Sequence, residues 1–142
     1  MPSSIYFFYE DVDFHFTTIR NTKSWLKEVI RAEGKKLGDL NYIFCSDTFL
    51  ADVNLQYLNH TTLTDIITFD TSEDVNIIEG EIYISIERVS ENALKFKASF
   101  DRELHRVMVH GVLHLLGYSD KTSQQKKIMR KKEDAYLSLK RV

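Results

Sequence analysis

Cysteine and proline occur once each in 142 residues, and each scarcity excludes something. Cys45 has no partner for an intrachain disulfide, so nothing in the chain demands an oxidising compartment. Pro2 is the sole proline, and no linker, repeat or low-complexity tract divides the sequence. Glycine is sparse too, and no glycine-rich strand–helix turn of the dinucleotide-binding kind is present. No apolar run is long enough to span a bilayer, and the polar start Met1-Pro2-Ser3-Ser4 lacks a signal-peptide pattern. An excess of positive charge is also missing. Lys and Arg number 19 against 21 Asp and Glu, for a net charge of −2, which argues against a whole-protein basic footprint for nucleic acid. A local basic patch is still allowed. These absences point to a cytoplasmic chain with no membrane partner. What is present, 43% hydrophobic and 28% charged residues, suits one globular domain over residues 1–142 with a core of its own.

The pattern along the chain mixes strands and helices. Strands are expected at Ile5–Tyr9, Leu40–Cys45, Asp65–Phe69 and Glu81–Ser85, from their β-branched and aromatic runs. An acidic loop containing Glu73, Asp74, Glu79 and Gly80 is expected between the last two. Trp25, Leu26, Val29 and Ile30 stand at helical spacing in a helix from about Asn21, ended by Gly34 or Gly38. Further helices are expected after a Ser46 or Asp47 cap, from Ile86 to about Lys95, from about Phe100 to Gly117, and from Thr122 to about Leu139. The order predicts an α+β, compact domain with a central mixed sheet of about four strands and surrounding helices.

One segment carries most of the chemistry: His110-Gly111-Val112-Leu113-His114-Leu115-Leu116-Gly117-Tyr118-Ser119-Asp120. Histidines four apart on a helix point the same way, since four residues advance about 400° around the axis. Gly117 offers a place for the helix to stop, and the turn can swing Asp120 towards both imidazoles. Three ligands with a fourth position open is the arrangement of a catalytic zinc site. The spacing is that of the zincin-like string H-E-x-x-H-x-x-G-x-x-H, with Gly111 in place of Glu and Asp120 in place of the last His. In zinc peptidases that Glu is the general base, so Gly111 disfavours peptidase chemistry and leaves water activation to the metal itself. The bland alternative is two polar residues on an apolar helix.

Three stretches together are similar to the YbeY-type endoribonucleases, which mature ribosomal RNA. The family's metal segment is usually H-G-x-L-H-L-x-G-Y-D-H, and His110, Gly111, Leu113, His114, Leu115, Gly117 and Tyr118 match it position for position. Asn54-x-x-Tyr57 followed by Thr64-Asp65-Ile66-Ile67-Thr68-Phe69 resembles N-x-x-Y-R…T-D-V-L-S-F. Gly80-Glu81-Ile82-Tyr83-Ile84-Ser85 looks like G-D-I-x-I-S. The likeness covers roughly residues 40 to 120.

Two positions depart from the family pattern. Asp120 stands where a third His is usual; alternatively Asp120 meets the family Asp and Lys121 replaces the His. Either way Asp120 is the ligand-capable residue near the turn. A carboxylate lowers the net charge at a zinc ion, which predicts a less acidic bound water and a site more tolerant of harder metals. Leu58 stands where the family commonly has an Arg thought to contact phosphate, a role that a guanidinium fills and leucine cannot. Asn59 and His60 are the neighbours able to bind the backbone instead. By resemblance, Asp65 and Ser85 line the cleft near the metal; a cap or a strand-edge hydrogen bond is their structural alternative.

Other residues carry paired readings. Glu103 shares the ligand face and either orients an imidazole or pairs with Arg102 or Arg106. His105 projects off that face. Lys126, Lys127, Arg130, Lys131 and Lys132 make the last helix locally basic, either as a surface for RNA phosphates or as a solvated face balanced by Glu133 and Asp134.

What the resemblance implies is a zinc-dependent, single-strand-specific endoribonuclease. It would hold one Zn2+ per chain on His110, His114 and Asp120, with the two histidines central to catalysis. It would act in maturation of the small-subunit rRNA 3′ end and in ribosome quality control, with ribosomal RNA and the small subunit or its assembly factors as partners. The alternative from another class is a non-catalytic ribosome-assembly factor with a structural metal.

Overall fold

Period-two alternation divides the strands' apolar side chains between the two faces of one sheet. The computed structural model describes residues 4–59 and 64–140. Its elements run β1 (Ile5–Glu10), α1 (Ile19–Ala32), β2 (Lys36–Cys45), α2 (Asp47–Leu58), β3 (Ile66–Asp70), β4 (Ile77–Ser85), α3 (Ile86–Lys95), α4 (Phe100–Leu115) and α5 (Ser123–Leu139). The sheet has the order β1-β2-β4-β3, with β1, β2 and β4 parallel and β3 antiparallel to β4. This is the expected α+β class with a mixed, four-stranded sheet.

Leu40, Tyr42 and Phe44 of β2 and Ile78, Ile82 and Ile84 of β4 enter the main core. They meet Trp25, Leu26, Val29 and Ile30 of α1, the apolar side of α4, and Met129, Tyr136 and Leu137 of α5. The opposite face of the sheet holds a smaller cluster of Cys45, Leu50, Val53 and Ile67, covered by α2. A side chain shifted by one position along β2 or β4 would change cores.

α4 runs through the main core. Leu104, Val107, Met108, Val109, Val112 and Leu113 are all buried, and full burial of such a side chain stabilises by about 1.5–3 kcal/mol. Tyr42 Oη donates to the Met108 carbonyl at 2.8 Å, tying the helix to the middle of the sheet. Gly111 lets the helix lie close: a Cβ there would sit 2.9 Å from two Ile82 carbons and 3.1 Å from Ile66 Cδ1. The residue that removes the peptidase base is therefore also a point of close approach between helix and sheet.

Local chemistry sets the helix starts. Ser46, Ser85 and Ser99 accept hydrogen bonds from the third residue inside α2, α3 and α4, and Thr122 with Gln125 forms a reciprocal capping box on α5. Several boundaries differ from the sequence expectation. β2 begins at Lys36 rather than Leu40, and β4 begins at Ile77, so Glu79 and Gly80 are in a strand and not in the acidic loop. Each extension is separated from its β-prone run by weak strand formers, Gly38-Asp39 in β2 and Glu79-Gly80 in β4, and is held by pairing with the neighbour, Lys36 against Ile77 and Leu37 against Ile78. Gly34, at φ 78, ends α1, while Gly38 lies within β2.

Candidate metal centre

α4 stops at Leu115 in a Schellman turn. Tyr118 N–H donates to the Leu113 carbonyl at 3.0 Å and Gly117 N–H to the His114 carbonyl at 3.0 Å, with Gly117 at φ 106. This turn reverses the chain and carries Asp120 back over the last turn of the helix. Asp120 Oδ2 lies 3.3 Å from His110 Nε2 and 3.5 Å from His114 Nε2. Among the described residues, His110, His114 and Asp120 form the metal-capable group, with donor atoms within 4.8 Å of one another. Zinc about 2.0–2.1 Å from each donor in a tetrahedron requires donor–donor edges of about 3.4 Å. The two edges to Asp120 match that spacing.

Each imidazole is tied at its other nitrogen. His110 Nδ1 is 2.6 Å from Glu133 Oε2, and His114 Nδ1 is 3.0 Å from the Tyr118 carbonyl. An acceptor at Nδ1 places the proton there and leaves the Nε2 lone pair free. Both lone pairs then converge on the carboxylate of Asp120. The Schellman turn does two things at once: it delivers Asp120, and it presents the carbonyl that orients His114.

Electrostatics follow from this arrangement. Burial works against a charged His110, but the Glu133 hydrogen bond and charge, with Asp120 and Asp65 adding to them, outweigh it and raise its pKa. His114 moves the other way, lowered by burial and by the His110 charge, with Asp120 offsetting part of the effect. Burial also penalises a charged Glu133, yet hydrogen bonds from His110 and Arg106 hold its carboxyl below the usual range. Glu133 is only 5% exposed, and its second oxygen, Oε1, accepts from Arg106 Nη1 at 2.9 Å.

Glu133 is the residue that sequence reasoning misplaced. Set beside four lysines and one arginine, it reads as part of a solvated face; in the structure it turns inward from α5 and holds His110. Its spacing gives a signal, because Met129, Glu133 and Tyr136/Leu137 fall on one buried stripe. Glu103, the candidate for that role, is buried on α4 with its carboxyl pushed up by burial and partly offset by Arg106. Lys132 also leaves the basic row: its ammonium lies 3.0 Å from Glu33 Oε2. The same carboxylate accepts from Tyr118 Oη at 2.6 Å and from Tyr136 Oη, so it braces the turn beyond the helix.

The remaining expected site residues are spread more widely. Asp65 precedes β3 and accepts from Asn92 Nδ2 at 3.2 Å. Burial raises its pKa, against the pull of His110, so it lies within electrostatic reach of the centre. Ser85 is fully buried and serves as the cap of α3, accepting from Arg88 N–H, with its hydroxyl 3.3 Å from Asp47 Oδ1. Asn59 ends α2 in the left-handed region at φ 53. His60 lies outside the described residues. Leu58, at the position of the family pattern's phosphate-binding Arg, is the last residue of α2 and 39% exposed. His105 is fully buried, with Nε2 2.9 Å from Thr22 Oγ1 and Nδ1 2.7 Å from the Asp101 carbonyl.

Comparison with known proteins places these features in a family context. The profile of the family described as Endoribonuclease YbeY matches residues 8–140. A protein of Amoebophilus asiaticus named Endoribonuclease YbeY is 52% identical over 143 residues, covering 100% of this chain and 97% of the relative. One of Flavobacterium psychrophilum with the same name is 51% identical over 129 residues, 91% of each chain. The solution structure of TM1509 from Thermotoga maritima superposes with a TM-score of 0.65 at 31% identity, covering 93% of this chain and 87% of that one.

Proposed function

The chain belongs to the YbeY endoribonuclease family, and on that premise we propose that it is a zinc-dependent hydrolase of single-stranded RNA acting in ribosomal RNA processing. The observation that carries the metal part is the convergence of His110 Nε2, His114 Nε2 and Asp120 Oδ2, with both Nδ1 atoms already tied. One Zn2+ per chain would be held there, and when bound it supplies Lewis-acid polarisation of a phosphoryl oxygen and a more acidic water.

The protein's own residues supply orientation. Glu133 and the Tyr118 carbonyl keep the two rings in the ligating tautomer. Asp65, just before β3 and within electrostatic reach of His110, is a proposed lining residue that would meet substrate or water. Asn59 and His60 complete the proposed substrate-contacting set, while Ser85, fully buried as the cap of α3, supports the sheet and helix behind it. Gly111 leaves no side chain at the position where a peptidase has its base, which supports phosphodiester over peptide hydrolysis.

The finer reading is small-subunit rRNA 3′-end maturation and ribosome quality control in the cytoplasm, by a chain acting as one domain over residues 1–142. It is supported by the family and by the lack, among the described residues, of a helix long and apolar enough to cross a membrane. A non-catalytic assembly factor is not favoured, since relatives matching the full chain length carry an endoribonuclease name.

Cleavage of a single-stranded ribosomal RNA fragment by the wild type, by His114→Ala and after chelation tests the proposal. Loss of cleavage in the last two, with zinc restoring the chelated protein and the helical circular-dichroism spectrum retained in the variant, is expected. Full activity of His114→Ala in metal-free buffer would contradict it.

A further inference from the structure

A large aromatic side chain stands in water one short relay away from the metal centre. Phe96 ends α3 and is 53% exposed. Cations from two different elements converge on it: Lys95 Nζ of α3 lies 5.6 Å and Arg130 Cζ of α5 6.0 Å from its ring centroid. Lys97 follows directly, exposed and in the left-handed region at φ 55. Arg130 then connects inward, with Nη1 3.5 Å from Glu133 Oε1, while the other oxygen of Glu133 holds His110. Phe96, Arg130, Glu133 and His110 thus form successive side-chain contacts from surface to centre. Lys126 stands one turn before Arg130 on α5, and both are exposed.

We propose that this surface binds the single-stranded RNA segment flanking the cleavage site, with one base stacked on Phe96 and its phosphates drawn to Lys95, Lys97, Lys126 and Arg130. The proposal rests on the endoribonuclease reading and adds where the strand runs.

The combination of groups selects the ligand. Cations alone would suit any polyanion, but an exposed ring among them fits an unstacked base joined to phosphates, which is the chemistry of a single strand. In a duplex the bases are stacked on one another and offer the ring nothing. The chain is acidic overall, so this cluster is a local field and not a general property of the surface. Lys132, which looks like part of the row in sequence, is paired with Glu33 and is not part of the patch. The patch also offers a cationic contact that Leu58 cannot provide.

The test measures anisotropy of a fluorescein-labelled, cleavage-resistant phosphorothioate RNA of about a dozen nucleotides on the full chain. A stacked base is worth about 1–3 kcal/mol, so Phe96→Ala is expected to weaken binding by about 5- to 160-fold, while Phe96→Tyr keeps it. Lys95→Gln with Lys126→Gln is expected to reduce the slope of log affinity against log salt by about 1.4, about 0.7 for each phosphate contact on a single strand. Zinc content should stay at the wild-type level in all of these variants. Wild-type affinity in Phe96→Ala overturns the patch and leaves the endoribonuclease reading standing. A wild-type chain that neither binds nor cleaves single-stranded RNA overturns both. Equal loss of affinity for duplex and single strand, or displacement of the RNA by oligoglutamate at matched charge, reassigns the cations to a general polyanion and overturns the stacking claim.

Discussion

The Glu133 carboxylate on α5 lies 2.6 Å from His110 Nδ1 on α4, so the last helix of the described chain fixes the first ligand of the metal centre. Glu133→Gln keeps the volume but removes the charge, and the amide has both a donor and an acceptor to offer Nδ1. Loss of such an orienting partner weakens metal binding by about 10- to 100-fold. A zinc competition titration against a chromophoric chelator, run well below the variant's melting temperature, is expected to show that loss; the metal-free variant should also melt lower, because Glu133 pairs with Arg106 as well. Wild-type zinc affinity in the variant would remove the orienting role.

Gly111 sets the distance between α4 and the sheet. Alanine is the better helix former by about 1 kcal/mol, but its Cβ would press on two Ile82 atoms at 2.9 Å in a filled core. Overpacking of this kind costs about 1–3 kcal/mol. Steric cost wins, so Gly111→Ala should melt at a lower temperature than the wild type, and an unchanged or raised melting point would show that the sheet yields freely. Gly111→Glu should fail to fold, which explains why a peptidase-type base is not accommodated there.

The sequence made the centre legible and left its support hidden. His110, His114, Gly117 and Asp120 are close in the chain, so helical periodicity and one turn are enough to bring them together. Sheet class and helix positions followed from equally local patterns. Strand starts at Lys36 and Ile77 are hidden in the sequence because Gly38-Asp39 and Glu79-Gly80 interrupt the β-prone runs, and pairing carries the strands across them. Glu133, Glu33 and Arg106 were missed for another reason: their roles depend on how α5 packs on α4 and α1, which no local period encodes. A charged residue in a charged stretch looks solvated until the helix it sits on is docked.

Glu33 closes α1 onto the turn and α5 through Tyr118, Tyr136 and Lys132. Burial opposes its charge, yet these three partners hold its pKa below the ordinary value of 4.5. The sign follows: the folded state binds this proton less readily than the unfolded one. Its contribution is complete above pH 4.5 and is lost as the pH falls through the folded pKa. Glu33→Gln is expected to lower the melting temperature at pH 7 and to flatten its fall between pH 5 and pH 3. Parallel wild-type and variant curves over that range would contradict the linkage.

His105 predicts pH dependence in a different range. Burial depresses its pKa below the ordinary 6.5, against the pull of the Asp101 carbonyl, so the folded protein keeps it neutral. The unfolded chain takes up the proton first as the solution is acidified. Stability is therefore full above pH 6.5 and erodes as the pH falls from there to the folded pKa. Thermal melts of metal-free protein between pH 7.5 and 5.5 should show a shallower pH slope for His105→Gln than for the wild type, even if the variant is less stable throughout. An equal slope would assign the dependence elsewhere.

Metal content measured by mass spectrometry, on the purified wild type beside His110→Ala and Asp120→Ala, bears most directly on the proposed centre. The account predicts about one zinc per wild-type chain and loss of it in both variants, in keeping with three protein ligands at a catalytic site. A wild-type chain that takes up no metal even after incubation with zinc, or an Asp120→Ala variant that retains it fully, would contradict the centre described here.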